Sequence, residues 1–379
     1  MKKLIIILCF GLAACNEDMP GAVRLENCGS TKNAAIEAVG KRFLEAGTVG
    51  VNIALKSPQG EWNYSAGKAD LANDIDLSPC HTLRIGSISK TFAAILIMKL
   101  QEEGKLSIND KAAKYLPEEY VKNVENLSEV TIKQVMQHTS GIRNYLEIRT
   151  FMDIYNGSLS GDGSKENVRR VFGKKAYFKP GENWQYSNTN YLLLAMIIEQ
   201  IEGKSAYEVM KQKFFDPLQL QNTIAGKAPS SLSRGYYDSF NNGLMRDLTT
   251  VDYDAVGGLD MLDGGLISNA HDMNVFMDAF GKGKIISQAS ITEMQSPSNA
   301  NVELPEELRY IKDYGLGLFL IDINGQKGFG HGGNVHCFNG VTYYFPDSGT
   351  SISILVNSYS TKIDKVLYDA GTLESLLQF

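Results

Sequence analysis

The spacing of apolar and polar positions near the start of the chain predicts a helix followed by a strand pair. Residues 34–46 place apolar side chains at helical spacing. Two extended runs follow, 49–56 and 62–66, and the segment 57–60 between them reads Ser-Pro-Gln-Gly. Proline and glycine between two extended runs are typical of a tight turn. The pattern therefore predicts a β-hairpin early in the fold.

Helical spacing dominates the middle of the chain. The run over 91–100 is apolar through several turns and ends before Gly104, which predicts a mostly buried helix. Further helices are predicted between loops that contain glycine and proline, over 132–137, 191–201 and 207–215. We therefore interpret the middle of the chain as mainly helical.

Strand-like runs return near the carboxyl end. Beyond a helix that begins near Asp272, extended runs are predicted over 314–323, 328–331, 340–345 and 351–357, and a final helix over 363–377. This order predicts an α+β fold, in which helices flank an antiparallel β-sheet formed by both chain ends, with a mainly α-helical inserted domain. We assign the domain to 30–379, with 30–106 and 264–379 as its α/β part and 107–263 as its helical part.

Composition and charge narrow the class of protein. Of the 379 residues, 43% are hydrophobic and 21% are charged, values typical of a folded globular protein. The formal net charge is -6, and the basic residues are scattered along the chain. Because no basic cluster is present to bind a phosphate backbone, we expect no nucleic-acid partner.

The amino terminus has the layout of an export signal. Two lysines precede an apolar run over 4–14 that is too short to span a bilayer. The run ends Leu-Ala-Ala-Cys, which resembles the lipobox of bacterial lipoproteins and makes Cys15 the expected lipidation site. We expect a lipoprotein signal peptide over 1–14, a linker over 15–29, and an exported protein that is lipid-anchored in the bacterial cell envelope, facing the periplasm or exterior. An ordinary signal peptide is the alternative.

Three of the five cysteines fall in the expected folded part of the chain. An export compartment permits a disulfide, and we prefer Cys28 with Cys80, although spacing alone leaves the pairing open. Cys337 is then unpaired and lies near His331 and His336. A free cysteine is more often a buried small hydrophobe than a catalytic thiol.

Ser87 and Lys90 are the residues that most directly indicate catalysis. Positions i and i+3 of a helix share one face, so the lysine can remove the proton from the serine hydroxyl and make it a nucleophile. The helix amino terminus adds partial positive charge, which lowers a lysine pKa and stabilises an oxyanion. Ser65 and Lys68 have the same spacing but no helix behind them, so we reject Ser65. The alternative for Ser87 is a helix cap beside a solvated lysine.

Two later motifs can belong to the same site. Tyr186 and Asn188 form a Tyr-x-Asn motif before the apolar helix that starts near Tyr191. His331 and Gly333 form a His-x-Gly motif at the end of a predicted strand, where glycine lets a substrate approach the backbone. Each motif alone is weak evidence, since the chain contains 18 tyrosines and a glycine at a strand end is often a bulge.

The order of the three motifs resembles the penicillin-recognising serine hydrolases, the family of class C β-lactamases, D-alanyl-D-alanine carboxypeptidases and related esterases. The resemblance runs from about residue 34 to the carboxyl terminus, and it implies a β-lactamase/transpeptidase-like fold. Several surrounding phrases are similar as well, over 84–92, 138–142, 180–182, 186–191 and 264–268.

The resemblance implies a serine hydrolase that works through an acyl-enzyme. Ser87 would attack a carbonyl, and Lys90 and Tyr186 would share the proton as base and then acid. The oxyanion hole would consist of the backbone N–H groups of Ser87 and Asn334. No metal or organic cofactor is implied.

Substrate binding is implied for Asn188, His331 and Gly333, with His331 at a strand position often held by lysine. The motif departs from the family at Gly332, where many members carry a serine or threonine whose hydroxyl helps to hold a carboxylate. A histidine, with an unperturbed pKa of about 6.5 against about 10.4 for lysine, also weakens carboxylate capture. Small-molecule esters, amides, β-lactams and peptidoglycan peptides are the expected substrates. The departure disfavours strong β-lactamase activity and leaves an esterase or a D-amino-acid amide peptidase as an equal alternative.

Other classes of protein fit the sequence less well. A binding or sensor protein would keep the fold and the acylating serine without turnover. A metal hydrolase would need His331, His336 and either Asp272 or His271, whose spacing matches no compact ligand pattern. An α/β-hydrolase is disfavoured because no Gly-x-Ser-x-Gly segment occurs.

Overall fold

A computed structural model describes most of the chain, in the ranges 21–25, 28–31, 33–148, 163–249, 261–298, 308–335 and 337–378. The predicted signal peptide, the predicted lipidation site Cys15 and His336 lie outside the described residues. Within the described ranges, no helix has the combination of length and apolar character that a membrane span requires.

The strands fall mainly near the two chain ends. In chain order they are β1 (Gly50–Ser57), β2 (Gly60–Asp70), β3 (Ile75–Asp76), β4 (Leu83–Arg84), β5 (Tyr236–Tyr237), β6 (Arg246–Asp247), β7 (Ile267–Ser268), β8 (Ile311–Tyr314), β9 (Phe319–Ile323), β10 (Gln326–Val335), β11 (Phe338–Phe345), β12 (Thr350–Val356) and β13 (Ser358–Tyr359). Eight of them form one sheet, in the order β3-β2-β1-β12-β11-β10-β9-β8. All its pairs are antiparallel, and β1 pairs with β12 so that Val51 lies opposite Val356.

Helices cover both faces of the sheet and fill the middle of the chain. They are α1 (Ala34–Glu45), α2 (Ser89–Glu102), α3 (Glu118–Asn123), α4 (Ile132–Met136), α5 (Ser164–Arg169), α6 (Asn188–Glu202), α7 (Ala206–Met210), α8 (Ala270–Gly281), α9 (Gln288–Met294), α10 (Thr361–Leu367) and α11 (Ala370–Leu377). The predicted α+β fold, with an antiparallel sheet built from both chain ends, is confirmed.

Two apolar clusters lie on opposite faces of the sheet. One joins α1, α10 and α11 to residues such as Ile53 and Ile354. The other joins α2, α6 and α8, and in it the ring of Phe92 stacks on Phe276 with centroids 3.9 Å apart. Helices α2 and α6 are apolar on nearly every face because other elements surround them. This packing holds the amino-terminal end of α2 against the sheet.

Three predicted elements differ from the structure near the carboxyl end. The predicted strand over 314–323 is a hairpin of β8 and β9, turned at Gly317, whose φ of 72° favours glycine. The predicted final helix is two helices, because Asp369 caps α11 through a 3.1 Å bond from the Gly371 N–H. The strand predicted to end at His331 continues to Val335, so the His-Gly-Gly motif lies inside β10.

Part of the predicted linker is fastened to the domain. A disulfide joins Cys28 to Cys80, the preferred pair, with Cα atoms 5.6 Å apart. The Ala22 N–H donates to Asp70 over 3.2 Å, and Nε2 of His81 lies 3.0 Å from the Val23 carbonyl oxygen. The disulfide joins residues with a sequence separation of 52. It lowers the conformational entropy of the unfolded chain and thereby stabilises the fold by about 4 kcal/mol. Cys337 is buried and takes no part in this disulfide.

Candidate active site

Ser87 lies in a single 3-10 turn, Gly86–Ile88, immediately before α2. Gly86 has a φ of 52°, and a Cβ there would lie 2.9 Å from the backbone nitrogen of Asn334. A Cβ at Gly333 would overlap the carbonyl oxygen of Ile85. Glycine at both positions therefore lets the turn pack directly on the backbone of β10.

Lys90 is fully buried, and all three of its ammonium protons have an acceptor. Its Nζ donates to Ser87 Oγ over 3.0 Å, to Asn188 Oδ1 over 2.7 Å, and to the backbone oxygen of Asp263. The alternative of a solvated lysine beside a helix cap is thereby wrong. A buried ammonium group is tolerated only where hydrogen bonds replace its water, and these three acceptors do so.

The pKa of Lys90 is the main electrostatic feature of the site. Burial lowers it from 10.5 to about 7, and the nearby Asp263 carboxylate opposes part of that shift. A substantial fraction of Lys90 is therefore neutral at neutral pH. A neutral amine keeps two donor bonds and offers a lone pair, so its contact with Ser87 can reverse and accept the serine proton.

Tyr186 and Asn188 reach the site from the start of α6. The half-buried Tyr186 ring lies 4.9 Å from the Lys90 Nζ, measured to the ring centroid. Burial raises the pKa of its phenol well above 10, while a hydrogen bond with Ser87 acts the other way, so the phenol is neutral at pH 7. The Asn188 Nδ2 donates to Asn144 Oδ1 over 3.4 Å, which turns the amide oxygen of Asn188 towards Lys90.

His138 holds this segment in place. Its Nδ1 accepts from the Ser187 N–H over 3.2 Å, and its ring lies 4.3 Å from that of Tyr186. Burial and the charge of Lys90 lower the pKa of His138 well below 6.5, so it acts as a neutral acceptor. These contacts make His138 a support of the segment that carries Tyr186.

His331 faces the cavity from β10 but carries no charge. Its Nε2 lies 3.1 Å from the Tyr314 hydroxyl, and its ring centroid lies 4.6 Å from that of Phe319. Burial lowers its pKa to about 3, and the charge of Lys90 acts in the same direction. His331 is therefore a neutral imidazole at pH 7 and supplies no cation for a substrate carboxylate.

The sequence did not reveal the second support of Lys90, formed by Asp263 and Tyr145. The buried Asp263 carboxylate accepts from the Tyr145 hydroxyl over 2.7 Å, while its backbone oxygen accepts from Lys90. A backbone contact leaves no signature in residue type, and Tyr145 is separated from Asp263 by 118 residues in the chain. The only available signal was the position of Asp263 beside the Gly-Gly phrase at 264–265.

A cavity of about 240 Å³ opens beside Ser87. Five of the predicted site residues border it, namely Ser87, Tyr186, His331, Gly333 and Asn334. Lys90 contacts Ser87 at its edge, and Asn188 contacts Lys90 in turn. Its remaining walls are largely apolar, and no lysine, arginine, aspartate or glutamate side chain lines it among the residues that the structure describes. The three sequence motifs thus converge on one cavity, whereas the Cys28–Cys80 disulfide lies outside it.

The residues of the metal-hydrolase alternative are engaged separately. His271 Nδ1 lies 3.3 Å from a Glu61 oxygen, and Asp272 accepts from the Asn222 N–H over 2.8 Å. In the described part of the chain, no three histidine, cysteine or acidic side chains are grouped as metal ligands would be. His336 is outside that part.

The chain is similar to known proteins in both sequence and fold. A family model described as Beta-lactamase matches residues 33–373. Among solved structures, a D-stereospecific amidohydrolase from Streptomyces sp. superposes with a TM-score of 0.74 at 26% identity, covering 89% of this chain and 98% of that one.

Two curated relatives match over shorter segments. Protein flp of Staphylococcus aureus (strain MW2) is 32% identical over 162 residues, which cover 42% of this chain and 31% of that protein. A penicillin-binding protein of Bacillus subtilis (strain 168) is 28% identical over 276 residues, which cover 70% of this chain and 58% of that protein. The chain thus spans less than two thirds of the length of either relative.

Proposed function

The chain belongs to the beta-lactamase family of serine hydrolases, and from this premise we propose that it is an exported enzyme that cleaves esters or amides through a Ser87 acyl-enzyme. The observation that carries the proposal is the 3.0 Å contact between Ser87 Oγ and the Nζ of a fully buried lysine whose pKa is about 7. Such a lysine can act as a general base near neutral pH.

In the proposed acylation step, neutral Lys90 takes the Ser87 proton while Ser87 Oγ attacks the substrate carbonyl. Ser87 and Asn334 both border the cavity, and their backbone N–H groups would stabilise the oxyanion. As the bond to the leaving group breaks, the proton passes from Lys90 to the leaving oxygen or nitrogen, with the neutral Tyr186 hydroxyl as relay. Water then repeats these steps on the acyl-enzyme and releases the acid.

Export and anchoring are part of the proposal. The apolar run over 4–14 followed by Cys15 supports a lipid anchor in the cell envelope. The disulfide between Cys28 and Cys80 supports an oxidising compartment. The likeness to an amidohydrolase supports amides among the substrates, and the penicillin-binding relative supports β-lactams or peptidoglycan peptides.

Covalent labelling tests the proposed chemistry. We expect a fluorophosphonate to add one adduct to Ser87, identified by mass spectrometry of the digested protein. A penicillin adduct at Ser87 that forms and then decays would agree with turnover, whereas a permanent one would favour the binding or sensor alternative. Failure of both reagents to label Ser87 in folded protein would overturn the proposal.

We predict that Asp263→Asn moves the acid limb of the pH–rate profile to lower pH. Lys90 must be neutral to act as the base, so activity falls as the pH drops through its pKa of about 7. Because the Asp263 carboxylate raises that pKa, its loss lowers the pKa and keeps Lys90 neutral at lower pH. The pH dependence of kcat/KM on an activated ester measures the shift.

The exposed Asp216, which pairs with Lys211 on the surface, offers a control. Asp216→Asn should leave the profile unchanged. An unshifted acid limb in folded Asp263→Asn protein would show that the carboxylate does not influence the base.

A further inference from the structure

One wall of the cavity is the ring of Tyr368, at the break between α10 and α11. A Cβ added at Gly332 would lie 3.4 Å from both Cε1 and the hydroxyl oxygen of Tyr368. The ring therefore sits directly over the glycine in the middle of the His-Gly-Gly motif. Because Gly332 has no side chain, the phenol ring takes up the space beside the strand.

A chain of hydrogen bonds holds the ring in that position. The Tyr368 hydroxyl donates to Asn339 Oδ1 over 3.0 Å, and Asn339 Nδ2 donates to Asp364 Oδ1 over 2.6 Å. Asn339 belongs to β11 and Asp364 to α10, so the ring is fixed to two separate elements. The ring is thus tied to both elements, and the chain of hydrogen bonds ends on a carboxylate.

Among the residues that the structure describes, the other walls add apolar surface and no balancing cation. Leu308, Ile311, Phe319 and Tyr343 line the same cavity. The Lys90 ammonium already donates all three of its protons. A substrate carboxylate that entered would lose hydration without gaining an ion pair, which is strongly unfavourable.

We propose that this cavity takes an uncharged aromatic or branched aliphatic group of the substrate, and that Tyr368 is the residue that sets this preference. The inference rests on the proposed hydrolase function and narrows its substrate class. The volume agrees with it, since cavities of roughly 150 Å³ hold a benzene ring and this one is about 240 Å³.

Two pairs of matched esters test the preference. In the first pair the acyl chain differs at its far end. One member is the p-nitrophenyl half-ester of adipic acid, which ends in a carboxylate, and the other is p-nitrophenyl 6-methylheptanoate, which ends in an isopropyl group of similar shape. In the second, the acetylated phenol carries a meta carboxylate or a meta isopropyl group. We expect kcat/KM to favour the isopropyl member by at least about tenfold in one pair or both. Equal or faster turnover of the carboxylate member in both pairs would overturn the proposal.

Tyr368 variants test the residue itself. Tyr368→Phe keeps the ring and should keep the preference. Tyr368→Arg places a cation over Gly332 and should reduce the preference at least about tenfold by improving turnover of the carboxylate member. If Tyr368→Arg does not fold, Tyr368→Ala removes apolar contact and should slow the isopropyl member selectively. A preference that is unchanged in every folded variant would show that Tyr368 does not set it.

Failure of this inference can be distinguished from failure of the proposed function. Loss of the preference while the fluorophosphonate still labels Ser87 would overturn only the substrate class. Absence of both labelling and ester turnover would overturn the hydrolase function, and the inference with it.

Discussion

Ser87→Ala is expected to lower kcat for an activated ester such as p-nitrophenyl acetate by at least about 10⁴-fold. The reason is that Ser87 Oγ supplies the electron pair that forms the acyl bond. Among the described hydrogen bonds of the Lys90 Nζ, the one to Ser87 is the only one to a hydroxyl group. Steady-state release of p-nitrophenol measures the loss. A folded Ser87→Ala protein with near-normal turnover would contradict the assignment.

Ser65→Ala is the matched control, because Ser65 and Lys68 repeat the Ser-x-x-Lys spacing elsewhere in the chain. Ser65 lies in β2 opposite Asn52, away from the cavity. Its loss should leave kcat within about twofold of the unchanged protein, as expected for a substitution remote from the chemistry. A large effect at Ser65 alone would reverse the choice between the two motifs.

Lys90→Met is expected to lower kcat/KM by about 10²- to 10⁴-fold, the usual contribution of a general base. Methionine has a similar length and suits a buried site, but it cannot accept the Ser87 proton. The loss should persist at every pH, because no titratable amine remains to be deprotonated. Activity measured between pH 6 and pH 9, together with circular dichroism to verify folding, provides the test.

Lys68→Met is the corresponding control. Lys68 bonds to Asp74 and Asp76 at the surface, in contacts of 2.6 Å each. Exposed ion pairs contribute little to stability, so this variant should fold and retain its activity. If Lys90→Met kept its activity while remaining folded, the base would have to be another group, and the proposed mechanism would be wrong.

The sequence predicted elements well where local chemistry decides the structure. The Ser-Pro-Gln-Gly segment forms a turn because of its own residues, and β1 and β2 form the expected hairpin, with Ser57 opposite Gly60. The apolar runs of α2 and α6 are long enough to be helices whatever surrounds them. Ser87, Lys90 and Tyr186 could be predicted to lie together because their residue types and spacing point to one chemistry, and the structure places them beside one cavity.

The remaining features depend on contacts between distant segments. The break at Tyr368 follows from an aspartate cap that a continuous apolar pattern conceals. The support of Lys90 by the Asp263 backbone oxygen requires a loop to return to α2 from 173 residues away. Gly86 is needed because β10 crosses the turn, which its local sequence does not reveal. Such contacts join segments that are far apart in the chain, so a single sequence does not show which residues they bring together.

If Cys15 carries the proposed lipid, the contacts of the amino-terminal segment limit how far the domain can extend from the membrane. The first described residue with a hydrogen bond to the domain is Ala22, whose N–H donates to Asp70. Positions 15 and 22 are seven residues apart, and a fully extended chain of that length reaches at most about 25 Å. The edge of the domain that carries Asp70 would therefore stay within about 25 Å of the lipid surface. Such a short tether would confine the proposed enzyme to substrates that come close to the bilayer.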